Sequence, residues 1–112
     1  MPYAKKEDQA AAAARHYQKN RAKIKQRTSL FKKKQRKILA SMVRAAKSVQ
    51  CKDCGVQYEH YVMEFDHLGS SKLDNISDMV SASVSINKLL AEIEKCEVVC
   101  ANCHRRRTWS RK

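Results

Sequence analysis

Apolar positions in the first half of the chain come singly. Ala10, Tyr17, Ile24, Phe31, Ile38 and Ala45 recur every seven residues, and most residues between them are Lys, Arg, Gln and Ala. One apolar position per two turns makes a helical stripe too thin for a firm coiled coil. No Gly or Pro interrupts the stretch between Pro2 and Gly55, and its residues are good helix formers, so the prediction is helix. From Ile38 the stripe thickens to Leu39, Met42, Val43 and Ala46. The i, i+3, i+4 spacing predicts a helix over 30–48 docked on whatever follows, with Thr28 and Ser29 capping it or marking a bend. Residues 4–27 have little to bury and are read as helical only on DNA, or as helical and exposed.

The pattern changes after residue 50. Val56, Tyr58, Tyr61, Val62 and Phe65 are β-formers and predict a hairpin or extended strand ending at His67. Leu68 to Ser71 reads as a loop, and Ile76, Met79 and Val80 as a short helix. Ser85 caps a predicted helix in which Ile86, Leu89, Leu90 and Ile93 share a face. Val98 and Val99 form a short strand, and a C-terminal helix starts near His104.

Charge divides the chain at the same place. The 112 residues carry 24 Lys and Arg against 11 acids, a formal net charge of +13. All of that net charge falls in residues 1–50, because acids and bases balance in residues 51–112. Such asymmetry points to a polyanion, most simply nucleic acid. The candidate contacts are Arg15, Lys19, Arg21, Lys23, Arg27, Lys32, Lys33, Lys34, Arg36 and Lys37, together with Arg105, Arg106 and Arg107. The plain alternative is a solvated face or a basic tail. No run approaches the ~20 apolar residues of a membrane span, and no secretory-type apolar segment opens the chain. The expected location is therefore the cytoplasm, that of the host for a phage-encoded chain. With 6% aromatic residues a single large core is not expected. The domain reading is a basic helical extension over 1–48 and a small module over 49–112.

Cysteine spacing supplies the staple that so small a module needs. Cys51 and Cys54 form one CxxC turn, and Cys100 and Cys103 a second. Two such turns can converge on one tetrahedral ion as a closed four-sulfur zinc site. Two disulfides in an exported protein, or a redox CxxC, are the alternatives. Cys96 is left over and reads as a small buried apolar residue.

Asp66 and His67 stand together at the end of the predicted strand, and His104 follows the second turn directly. If zinc joins the turns, Asp66 and His104 can share a second, catalytic divalent ion. His67 can then deprotonate a water for attack on a phosphodiester. Adjacent strand residues point to opposite faces, so a bend is needed at 66–67, or the two must reach the phosphate from different sides. The bland readings are turn capping for Asp66 and His67, and an extra zinc ligand or helix-start residue for His104. Glu64 is a candidate outer partner, His60 reads as strand surface, and Trp109 is expected to pack under the CxxC turns rather than stack on a base.

The order Cys-x2-Cys, then FDHL, then EIEKCEVVCANCHR resembles the zinc-containing HNH nucleases often found in phage and bacterial genomes. The resemblance covers about residues 50–108. It implies a small α+β fold: a ββα-metal core stapled by a four-cysteine zinc site, here with a basic helical extension. It implies His67 as general base, Asp66 and His104 on a catalytic ion, and Cys51, Cys54, Cys100 and Cys103 on structural zinc. The position of the family's middle Asn, five residues before Cys100, holds Lys95; Asn87 and Asn102 are the nearby asparagines.

The expected function is thus a metal-dependent DNA endonuclease using Mg, Mn or another divalent ion. The alternative is a non-catalytic zinc DNA-binding accessory protein in phage packaging or regulation, and a DNA-processing protein is a further expected partner. A protein-binding adaptor is a third reading. The sequence leaves the oligomeric state open.

Overall fold

The computed structural model describes residues 6–112. Residues 1–5 of the predicted extension lie outside the described residues. Helix α1 spans Lys6–Lys47 without a break. Thr28, expected to cap or bend it, donates its hydroxyl to the Ile24 carbonyl at 3.0 Å and so stays inside the helical ladder. A 3₁₀ turn at His60–Val62 leads into β1 (Met63–His67). Then come α2 (Ile76–Ser81), α3 (Ile86–Ile93), β2 (Cys96–Cys100) and α4 (Ala101–Ser110). The chain is a small α+β protein whose one described sheet has two antiparallel strands.

Two compact units divide the chain, Met1–Lys33 and Lys34–Lys112. In the first, the described part of α1 is almost wholly exposed, consistent with its polar sequence. The second begins inside α1, where Leu39 is buried and Met42, Val43 and Ala46 are half-buried, while Ile38 stays exposed. Leu39 is fully buried with Ile76, Met79 and Leu89, and Met42, Val43, Phe65 and Ile93 pack around them. Gln35 adds a side-chain bond to the Val84 carbonyl at 3.0 Å. Residues 34–47 therefore form one wall of the C-terminal unit.

The other core cluster lies under the cysteines: Cys51, Met63, Val99, Cys100 and Cys103, with Tyr58, Val62 and Val98 against it. The strands pair from Met63↔Cys100 to His67↔Cys96. The predicted extended run from Val56 contracts to five residues, because its first part folds back on the first cysteine turn. There Gly55 donates to the Cys51 carbonyl at 2.9 Å, and its φ of +72° is a conformation that glycine adopts without strain. Lys52 then donates to the Val98 carbonyl at 3.0 Å, docking this turn on β2. Ser85 caps α3 as predicted, accepting from the Lys88 amide at 3.2 Å. The buried face of α3 is rotated from the predicted one: Leu89 and Glu92 are buried, whereas Ile86 and Leu90 are largely exposed.

Candidate functional site

The four cysteines of the CxxC turns converge. Their sulfurs all lie within 4.8 Å of one another, three of the residues being buried and Cys54 exposed. Amides are aimed at them: Cys100 N–H donates to the Cys51 sulfur at 3.3 Å, and Cys103 N–H to the Cys100 sulfur at 3.4 Å. Burial pushes the Cys51 thiol up, but backbone hydrogen bonds at Cys54, Cys100 and Asp53 outweigh it and lower the group to about 6. The hydrogen bond with Cys100, together with burial, pushes Cys103 up to about 12. So uneven a set is what crowding four thiols produces, since neighbouring thiolates repel. A cation at the centre favours the charged form of all four. The group could hold a structural metal ion such as zinc. Cys96 stands apart, its thiol raised to about 11 by burial and donating to the Glu92 carbonyl.

Beside this cluster, β1 carries Glu64 and Asp66 on the face that α4 covers. Asp66 is 2% exposed. Arg111 grips it with both guanidinium nitrogens, at 2.8 and 2.7 Å, and Arg107 adds a bond at 2.7 Å. Arg111 and then Arg107 hold its carboxyl well below the usual carboxylate range, against the opposing effect of burial. His104, near the start of α4, donates from Nδ1 to Glu64 Oε1 at 2.7 Å. Its other ring nitrogen, Nε2, lies 3.5 Å from Asp66 Oδ1.

His67 points to the other side of the strand, as alternation requires. Its Nε2 meets Glu92 Oε2 at 2.9 Å. Glu92 is 1% exposed and fully engaged: the same oxygen accepts from the Leu73 amide at 3.0 Å, and Oε1 accepts from Lys95 Nζ at 2.9 Å. Burial would raise this carboxyl, but Lys95, the Leu73 amide and His67 prevail and lower it to about 2. An ionised acceptor requires a hydrogen on His67 Nε2, which leaves Nδ1 as the basic atom. Although the two side chains leave opposite faces of β1, Asp66 and His67 line one cleft of about 530 Å³ with His104, Glu64, Lys72 and Arg111.

Lys95 does not touch His67 through any described bond; it braces Glu92 and the Ser71 carbonyl, the latter at 2.8 Å. Glu92 is the residue that sequence reading misses. Its signal is a place three residues after Leu89, on the face of α3 that turns inward. Asn87 and Asn102 are both exposed.

The other predicted residues divide by exposure. Arg15, Lys19, Arg21, Lys23, Arg27, Lys32 and Lys33 are exposed in the first unit, as are Lys34, Arg36, Lys37, Arg105 and Arg106 in the second. Arg107 departs from its expected place beside a bound strand. It is turned inward, bonding Asp53 at 2.7 and 2.6 Å and Glu97 at 3.0 Å as well as Asp66. Trp109, expected to pack under the cysteine turns, is instead 75% exposed.

Glu92 makes a pH prediction. Because its folded-state pKa lies below the ordinary 4.5, its contribution is complete above that value and fades as pH falls toward about 2. Glu92→Gln is expected to cost about 2 kcal/mol at neutral pH, through weakening of a buried charged network. The gap from the parent should close below pH 4.5 in denaturant titrations at stepped pH. A gap constant down to pH 2 would mean that Glu92 is not ionised by this network.

Among the described residues no helix is long and apolar enough to cross a membrane. Comparison with protein-family models finds no matching family, and comparisons with curated proteins and with solved structures find no significant match.

Proposed function

We propose that the protein is a metal-dependent DNA endonuclease of the HNH type, built on a ββα-metal core over β1, β2 and α4. The observation that carries this reading is the convergence on one cleft of an Asp66–His104 pair, Oδ1 and Nε2 3.5 Å apart, and an imidazole oriented by a buried carboxylate. A carboxylate and a neutral imidazole at that separation suit one divalent ion at ~2.1 Å from each. Mg, Mn or another such ion would be held there by Asp66 and His104, with Arg111 giving up its grip on Asp66 Oδ1. Such an ion supplies Lewis acidity toward a phosphoryl oxygen and the leaving 3′ oxygen.

The chain's own groups supply the rest. His67 Nδ1 accepts a proton from the attacking water, while Glu92 holds the ring and stabilises the imidazolium. Glu64 keeps His104 in the tautomer whose Nε2 faces Asp66. Zinc on Cys51, Cys54, Cys100 and Cys103 fixes the start of α4 and the end of β2, and so sets the site's dimensions. The exposed cations of α1, with Arg105 and Arg106, supply sequence-independent affinity for the phosphate backbone.

A non-catalytic DNA-binding module is the second reading, and one observation favours it: both oxygens of Asp66 are already taken by arginines. Supercoiled plasmid separates the two. The full chain is expected to nick or linearise it with Mg or Mn and to stop on chelation. Binding without cleavage under every divalent ion would overturn the nuclease reading in favour of the module.

A further inference from the structure

Trp109 is the single tryptophan of the chain, and at 75% exposure it contributes nothing to either core cluster. It lies on α4 one turn beyond Arg105, and Lys112 Nζ sits 5.7 Å from its ring centroid. A groove of about 800 Å³ runs past it, lined also by Thr108, Arg105 and Lys112, and ending at Glu64 and His104. Those last two residues also line the cleft that holds Asp66 and His67. An indole presented to solvent between cations, in a groove that shares Glu64 and His104 with the proposed phosphodiester cleft, matches a flat π-system attached to an anionic backbone. The cations would meet phosphates and the indole a base face.

We infer that Trp109 is a stacking platform for an unpaired nucleobase of the strand held at the cleft, with Arg105 and Lys112 holding its flanking phosphates. A paired base inside a duplex has both faces covered by its neighbours, so this subsite favours single-stranded or locally opened DNA. The inference deepens the nuclease reading and rests on it for the direction of the strand, but stacking itself needs no catalytic ion.

The test uses the full chain with its structural metal, no added divalent ion, and a single-stranded oligonucleotide and its duplex at equal length. Excitation that selects indole over tyrosine reports on Trp109 alone. Saturation with the single strand is expected to quench the emission strongly, and the duplex to quench it far less. Trp109→Ala should bind the single strand about tenfold more weakly, the loss of one base–aromatic stack, with duplex affinity unchanged. Trp109→Phe should recover most of the loss. Unchanged emission at saturation, equal quenching by both forms, or undiminished binding by Trp109→Ala would overturn the inference. Quenching without plasmid cleavage under any divalent ion would sink the nuclease reading and keep the platform. Cleavage with a silent indole would do the reverse.

Discussion

Replacing His67 with alanine is expected to slow plasmid cleavage by about a thousandfold while leaving the fold and DNA affinity in place, the usual scale for losing a positioned general base. The fold should survive because Glu92 keeps two partners, Lys95 and the Leu73 amide, when the imidazole is gone. Retained circular dichroism and zinc content would establish that. A variant cutting as fast as its parent would remove His67 from the mechanism, whatever the site's geometry. Unchanged DNA affinity beside the lost rate would distinguish lost base chemistry from lost substrate grip.

The second large effect concerns the sulfurs. Stripping the ion with a strong chelator, or replacing Cys100 with serine, is expected to unfold most of the unit from Lys34 onward. Binding energies of about 10 kcal/mol or more per structural zinc exceed the whole stability of a domain this small. Cys100 is the severest choice, since it ends β2, caps α4 by accepting from the Cys103 amide, and is 3% exposed. Metal content by mass spectrometry and melting curves with and without chelator would check this. Chelation that leaves the melting curve unmoved would make the cluster a set of reduced thiols with no structural ion.

Much of this architecture is legible in the residues. CxxC spacing anticipates a four-sulfur cluster because two intervening residues force both thiols of a turn to one side. Ser85 announces a helix start, and the thickening at Leu39 announces docking. Other features are hidden. The inward face of α3 depends on tertiary packing, so Glu92 reads as an outward acid beside an apolar stripe, although it is the group that positions His67. Arg107 looks like one of three equivalent arginines. Helical periodicity does not say that Asp53, 54 residues away in the first cysteine turn, waits beneath it. Trp109 is expected inside because indoles usually are, but the cores are built from Met63, Met79, Leu39 and Val99 and Trp109 stays outside them. Continuity of α1 through Thr28 is also unreadable, since a hydroxyl that can cap a helix can equally bond back within one.

Arg107 joins the first cysteine turn through Asp53, the middle of β1 through Asp66, and β2 through Glu97. One guanidinium therefore ties the cysteine cluster to both strands of the sheet. A chain whose two cysteine turns were not drawn together would leave Asp53 unanchored, loosen this clasp, and let Arg107 and Asp66 drift from register. The sulfur cluster and the middle of β1 are thus mechanically linked: whatever tightens or slackens the first is transmitted to the second through a single side chain.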